Sequence, residues 1–208
     1  MTTGYWIGRL DVTDPEGYKP YVAANAEPFR KFGARFLVRG GKFETPEGQS
    51  RSRNVVLTFA DFATALACYR SPEYSAAKAL RHGKAISDLV VIEGTQTAPA
   101  PGDTIVRGYW IARVDVTEPT GYQAYVQADA EAFGRYGGRF LVRGGKFERL
   151  EGQARSRHVL IEFADIASAR ACYHSPEYQR AAALRRGKAV FDLIIIEGYA
   201  GPQPGDVG

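Results

Sequence analysis

Sliding the chain by 104 residues lays it over itself. GYWIGRLDVTDPEGYKPYV from Gly4 meets GYWIARVDVTEPTGYQAYV from Gly108, FLVRGGKFE recurs unchanged, and CYRSPEY meets CYHSPEY. About two-thirds of the positions from Gly4 to Gly94 match their partners, with no insertion or deletion. Only a duplication leaves that pattern, and it requires both halves to fold alike. A unit of about 90 residues is long enough to be a small domain by itself, whereas solenoid arrays need three or more units to bury a core. The organisation read from the chain is a first repeat over 1–94, a linker over 95–107 (TQTAPAPGDTIVR), a second repeat over 108–198 and a tail over 199–208. The tail shares the linker's proline, glycine and small residues and is expected to fray. Tethering holds the two copies at high effective concentration, so the arrangement expected is an internal pseudo-dimer.

Within one repeat, Tyr5 to Val12 has the β-rich composition of a strand. Asp14-Pro15-Glu16 supplies a cap, a proline for the first turn and an acid for the helix dipole. Tyr18, Tyr21, Val22, Asn25, Phe29 and Phe32 then recur at helical spacing until Gly33. Arg35–Phe43 reads as a second strand with a bulge or a close backbone approach at Gly40-Gly41, Glu44–Ser50 as a hairpin connection, and Arg53–Phe59 as a third strand. Asp61 caps a second helix, Ser71-Pro72-Glu73 starts a shorter one, and Ile86–Glu93 is the last strand. The order β-α-β-β-α-β is the ferredoxin-like arrangement, so the fold class is α+β. Its sheet is covered by helices on one face only, yet the strands carry bulky groups on both. Packing sheet against sheet solves this and gives an eight-stranded barrel-like core with a pocket between the halves.

The blocks YWIGRLDVTDPEGY, FLVRGG, RSRNVV, CYRSPEY and DLVVIEG, each repeated, resemble the DUF1330 family of small bacterial dimeric α-β barrel proteins. The resemblance covers both repeats and leaves out linker and tail. Most members look like single domains, which implies that the internal pair replaces the usual homodimer. The wider superfamily includes cofactor-free monooxygenases, muconolactone isomerase-like enzymes and haem-dependent relatives, so the fold admits small-molecule chemistry without selecting it.

Bulk properties narrow the choice. A chain of 208 residues that is 45% hydrophobic buries a real core, and a net charge of +4, spread over 27 basic and 23 acidic residues, is too mild and too interleaved for a nucleic-acid tail. The Lys/Arg-G-Phe pattern of RNA-binding sheets is absent, and Gly40-Gly41 lacks phosphate-loop spacing. No window approaches the ~18 apolar residues of a membrane span, and no basic-then-apolar leader opens the chain. Cys68 and Cys172 sit at equivalent apolar-periodic places, which suits buried hydrophobes and a reducing cytoplasm. A redox role would need them exposed beside basic groups.

Arginines in or beside strands carry the chemistry. Arg9, Arg39 and Arg53, with Arg113, Arg143 and Arg157, are candidates for an anion pocket between the sheets, because the guanidinium fork fits carboxylate and phosphate. The competing reading is salt bridging to Asp11, Glu44 and their repeats. Asn54 becomes His158 in the second copy, so His158 is the candidate neutral-pH base and Asn54 a ligand-orienting group, unless the change is drift at a tolerant site. Asp88 and Asp192 could hydrogen-bond an arginine as readily as act in catalysis. Three scattered histidines give no zinc or haem spacing, so no metal and no cofactor are expected. The function expected is binding, and at most cofactor-free transformation, of a small acidic or carbonyl-bearing molecule between the repeats. The alternative is a non-catalytic structural, stress-related or protein-interaction module. Further self-association of the pseudo-dimer is left open.

Overall fold

The computed structural model describes residues 2–100 and 106–206; linker positions 101–105 and the last two positions of the tail lie outside the described residues. The first repeat runs β1 (Gly4–Val12), α1 (Pro15–Ala24), α2 (Ala26–Lys31), β2 (Arg35–Arg39), β3 (Phe43–Glu47), β4 (Arg53–Phe59), α3 (Phe62–Arg70), α4 (Pro72–Ala79) and β5 (Ala85–Glu93). The second runs β6 (Gly108–Val116), α5 (Pro119–Tyr136), β7 (Arg139–Arg143), β8 (Phe147–Glu151), β9 (Arg157–Phe163), α6 (Ile166–His174), α7 (Pro176–Leu184) and β10 (Ala189–Glu197). The helix starts are fixed locally: the carboxylates of Asp14 and Asp61 accept from Gly17 N and Thr64 N, and Ser71 Oγ accepts from Tyr74 N.

Two five-stranded antiparallel sheets form, in the orders β2-β4-β1-β5-β8 and β3-β10-β6-β9-β7. Each sheet borrows its fifth strand from the other repeat. This corrects the expectation of eight strands, with one over 35–43 followed by a hairpin connection. The strand stops at Arg39 because Gly40 and Gly41 adopt φ of 74° and 114°, a left-handed pair that turns the chain out of its own sheet. Residues 43–47 then pair with β10 through Phe43↔Ile196, Glu44↔Ile195 and Glu47↔Leu193, so the supposed connection is an edge strand that supplies hydrogen bonds to the other repeat. Pro46 is tolerated there because an edge strand leaves one row of groups unpaired. The loop behind it docks closely: at Gly48, with φ +67°, a Cβ would stand 2.2 Å from Asp192 Oδ1.

Alternation along the strands separates three cores. Tyr5, Ile7, Val56 and Val90 point between the sheets and meet Tyr109, Ile111, Leu160 and Ile194 from the other repeat. Trp6, Leu57, Phe59 and Val91 face the helices, as do Trp110, Ile161, Phe163 and Leu193 in the second repeat. Each tryptophan also donates its indole N–H to a helix carbonyl, Trp6 to Ala65 and Trp110 to Ala169.

The single helix expected up to Phe32 is broken at Asn25 in the first repeat, while α5 runs unbroken in the second. Pro28 explains the difference: it has no N–H for the Ala24 carbonyl and its ring crowds that turn, whereas Ala132 stands at the matching place. The tail is not frayed over 199–206. Gln203 is buried and clamps Phe36, accepting from its N–H at 2.7 Å and donating to its carbonyl at 3.1 Å, and Tyr199 packs on the Phe36 ring.

Among the described residues, no helix is long and apolar enough to cross a membrane. Both cysteines are fully buried, and burial pushes each thiol up to about 12. A thiol reagent at pH 8 is therefore expected to leave both unmodified until denaturant is added; rapid native labelling would contradict this packing.

Candidate functional site

The eight candidate residues divide between two places, because neighbouring strand positions point to opposite faces. Arg9, Asn54, Arg113 and His158 point between the sheets; Arg39, Arg53, Arg143 and Arg157 line helix-covered cavities on the outer faces. A single arginine pocket between the halves, as the sequence suggested, is therefore not what forms.

The inter-sheet group is an ion network. Arg9 meets Asp88 at 3.0 Å and Arg113 meets Asp192 at 2.8 Å, so these aspartates do bond arginines. Arg51 joins Asp88 to Asp11, and Arg155 joins Asp192 to Asp115, all at 2.8 Å. The exchanged loops close the network, since Gln49 N–H donates to Asp192 and Gln153 N–H to Asp88, each at 2.9 Å. Burial alone would raise the pKa of Asp88 and Asp192, but these bonds, first from Arg51 and Arg155, hold both below the usual carboxylate range. Burial and the facing Arg113 pull Arg9 down to about 10. The spaces left here measure about 20 and 10 Å³, enough for single waters and not for an organic substrate. His158 is 4% exposed, with its ring against Phe147 and its Nε2 without a partner. Burial, then Arg113, lowers its pKa to about 4. It is a neutral interior group walled off from any substrate-sized space, which corrects its reading as a general base poised near neutrality.

The first repeat's outer cavity is different in kind. It measures about 60 Å³ between the sheet and α1, α2 and α4, and opens to solvent. Trp6, Tyr18, Tyr21, Phe29, Phe36 and Tyr74 make its walls aromatic, and Arg39 and Arg53 line it from β2 and β4. Arg39 lies over the Phe36 ring at 4.5 Å and donates to Tyr199 Oη at 3.2 Å, so the tail fixes its position. Arg53 makes no hydrogen bond or ion pair among the described residues. Asn25, at the helix break, lines the same space with its Oδ1 buried and unpartnered.

On one side of this cavity, Arg81 is 7% exposed, lies over the Tyr21 ring at 5.0 Å and donates from Nη2 to both carboxylate oxygens of Glu151 at 2.6 and 2.8 Å. Glu151 also accepts from the hydroxyls of Ser87 and Tyr69. Because Glu151 comes from the exchanged strand β8, the cavity wall is built by both repeats. Arg81, Glu151, Ser87 and the partnered Arg51 were not among the candidates. Arg81 and Glu151 recur as Arg185 and Glu47, but so do about two-thirds of all positions in the repeat, so recurrence alone did not single them out.

Whole-chain comparisons fit this architecture. An anthrone oxidase-like protein is 13% identical with a TM-score of 0.53, covering 99% of this chain and 94% of its own. A protein solved as a candidate chlorite dismutase is 10% identical with a TM-score of 0.55, covering 99% and 97%. A candidate monooxygenase from Fusobacterium nucleatum subsp. nucleatum is 13% identical, with a TM-score of 0.52 and 97% of both chains covered. At these identities the likeness is one of fold. No curated protein matches the chain. The family described as Domain of unknown function (DUF1330) matches residues 3–95 and again 107–199, over the two repeats and up to the point where the tail turns back on Phe36, so the chain belongs to the DUF1330 family and carries its domain twice.

Proposed function

We propose that the protein binds a small organic anion in the outer cavity of its first repeat. Arg39 and Arg53 hold the charged end, and the aromatic wall takes the apolar body. The observation that carries this reading is Arg53: a guanidinium lining an aromatic cavity with no protein partner among the described residues, while the nearby acids Glu151 and Asp88 are committed to Arg81 and to Arg9 and Arg51. A cavity with aromatic walls and a few convergent polar groups is the usual form of a small-molecule site. Names such as monooxygenase and anthrone oxidase-like, borne by proteins of the same fold, accord with small-molecule work but do not choose a reaction. The buried state of His158 supports binding over turnover.

A charge-assisted hydrogen bond contributes about 1.5–3 kcal/mol, so Arg53→Ala should weaken binding of phenylacetate or butyrate by roughly tenfold to a hundredfold in calorimetric titration. Equal affinity in parent and Arg53→Ala would refute the assignment.

A further inference from the structure

We infer that the two cavities have divided their roles: the first repeat takes a small monocarboxylate with a short apolar body, and the second holds its own Asp129 carboxylate where the first awaits that ligand. The inference rests on reading the first cavity as an anion site, and it adds the ligand class and a stoichiometry of one per chain.

The matched linings carry the argument. Shifting the first cavity's lining by one repeat returns Trp110, Tyr122, Tyr125, Phe133, Arg143, Arg157 and Tyr178 unchanged in type around the second cavity. Yet the space falls from about 60 to about 20 Å³. Three substitutions of differing chemistry account for the change. Gly8 becomes Ala112, which puts a methyl group into the sheet wall. Ser87 becomes Phe191, whose ring occupies the wall and stacks under the Arg185 guanidinium at 3.7 Å. Asn25 becomes Asp129, whose Oδ1 stands 3.7 Å from Arg143 Nη2.

Charge follows space. Asp129 is 4% exposed, and the positive charge around it comes from Arg143, Arg157 and Arg185. In the second repeat an aromatic cavity with two mouth arginines therefore contains a carboxylate of its own. The first repeat keeps the arginines and the aromatic wall but has a neutral Asn25 in place of Asp129, and has the room; the Oδ1 of each is buried without a hydrogen-bond partner, so the two cavities differ in charge and space. The group that completes the second cavity is a carboxylate on a short carbon stem, and that is the chemistry the first lacks. A cavity of about 60 Å³ restricts the body to a short chain or lets a longer one protrude at the open side.

Calorimetric titration of the full chain with butyrate, with inorganic phosphate as a second titrant, tests this. The parent should bind one butyrate and bind phosphate at least tenfold more weakly. Asn25→Asp, a residue the second cavity already accommodates, should reduce butyrate affinity at least tenfold, while Arg157→Ala leaves it unchanged. The triple variant Ala112→Gly, Asp129→Asn, Phe191→Ser should bind two. Two butyrates on the parent, or no loss in Asn25→Asp, would overturn the division of roles and leave the anion site standing. Tighter binding of phosphate would overturn the carboxylate class. No binding of either titrant by the parent would overturn the anion-site reading beneath both.

Discussion

Replacing Glu151 by alanine should lower stability by about 3–5 kcal/mol, the usual cost of leaving a buried charge unpaired, and for a chain of this size should lower Tm by about 10 °C. Glu151 ends the strand that crosses from the second repeat to the first, and its carboxylate accepts from Arg81 Nη2, the Ser87 hydroxyl and the Tyr69 hydroxyl together. Burial would raise its pKa, but the Arg81 bonds overcome this and hold it below the usual range. Without it, Arg81, 7% exposed and over the Tyr21 ring, keeps the Ser87 hydroxyl at 3.0 Å but has no acid to compensate its charge. The mirror variant Glu47→Ala should cost less. Glu47 is more exposed than Glu151, 23% against 14%, whereas the arginines are alike in what they retain, Arg185 the Tyr178 hydroxyl and the Phe191 ring and Arg81 the Ser87 hydroxyl and the Tyr21 ring. Urea unfolding followed by tryptophan fluorescence measures both. A loss under about 1 kcal/mol in Glu151→Ala would place this pair with ordinary surface bridges. Because Glu151 belongs to one repeat and Arg81 to the other, the same experiment reports how far the strand exchange holds the halves together.

That exchange marks the boundary of what the amino-acid order could show. Local signals were legible: Asp14, Asp61 and Ser71 cap helices because a short polar side chain before a helix has one good use there. The repeat was legible for the same reason, as it asks only for comparison of like with like. Residues 43–47 were not. FETPE lacks alternation and contains proline, so it has the composition of a turn, and the strand that organises it lies in the other repeat. The arginines show a subtler limit. Parity along β4 already separates Arg53 from Asn54, but both faces of these sheets are apolar, so alternation could not say which face met helices and which met the other sheet. Assigning all eight candidates to one pocket followed from that ambiguity. The helix break needed Pro28 to outweigh an intact aromatic periodicity, and the periodicity is the louder signal.

The pH dependence of stability should be governed by two buried groups that pull in opposite directions, and single variants should expose each. Burial raises Asp129 from 3.8 to about 6 against the partial compensation of Arg143, Arg157 and Arg185. A carboxyl raised on folding penalises the native state at neutral pH, and the penalty fades as pH falls through 6 and is gone below 3.8. Burial, then Arg113 and Arg9, lowers His158 from 6.5 to about 4, against a smaller pull from the Arg155 carbonyl and Asp115. A histidine lowered on folding costs nothing at pH 8, and its penalty grows as pH falls from 6.5 to 4. A tenfold change in proton affinity is worth ~1.4 kcal/mol, which makes each effect on the order of 3 kcal/mol. In the parent the two slopes largely cancel between pH 6.5 and 4. Asp129→Asn should therefore gain about 2–3 kcal/mol at pH 8, since Asn25 shows that the amide fits this turn, and should then lose stability steadily on acidification as His158 alone titrates. His158→Asn should be near neutral at pH 8, since Asn54 fills that place in the first repeat, and should become more stable than the parent as pH falls to about 4. Urea unfolding of the three proteins at about pH 4, 6 and 8 separates these slopes. Parallel slopes would mean that neither group is desolvated as the packing requires. Opposed slopes would establish that the second repeat keeps Asp129 in a cavity where desolvation outweighs the pull of Arg143, Arg157 and Arg185.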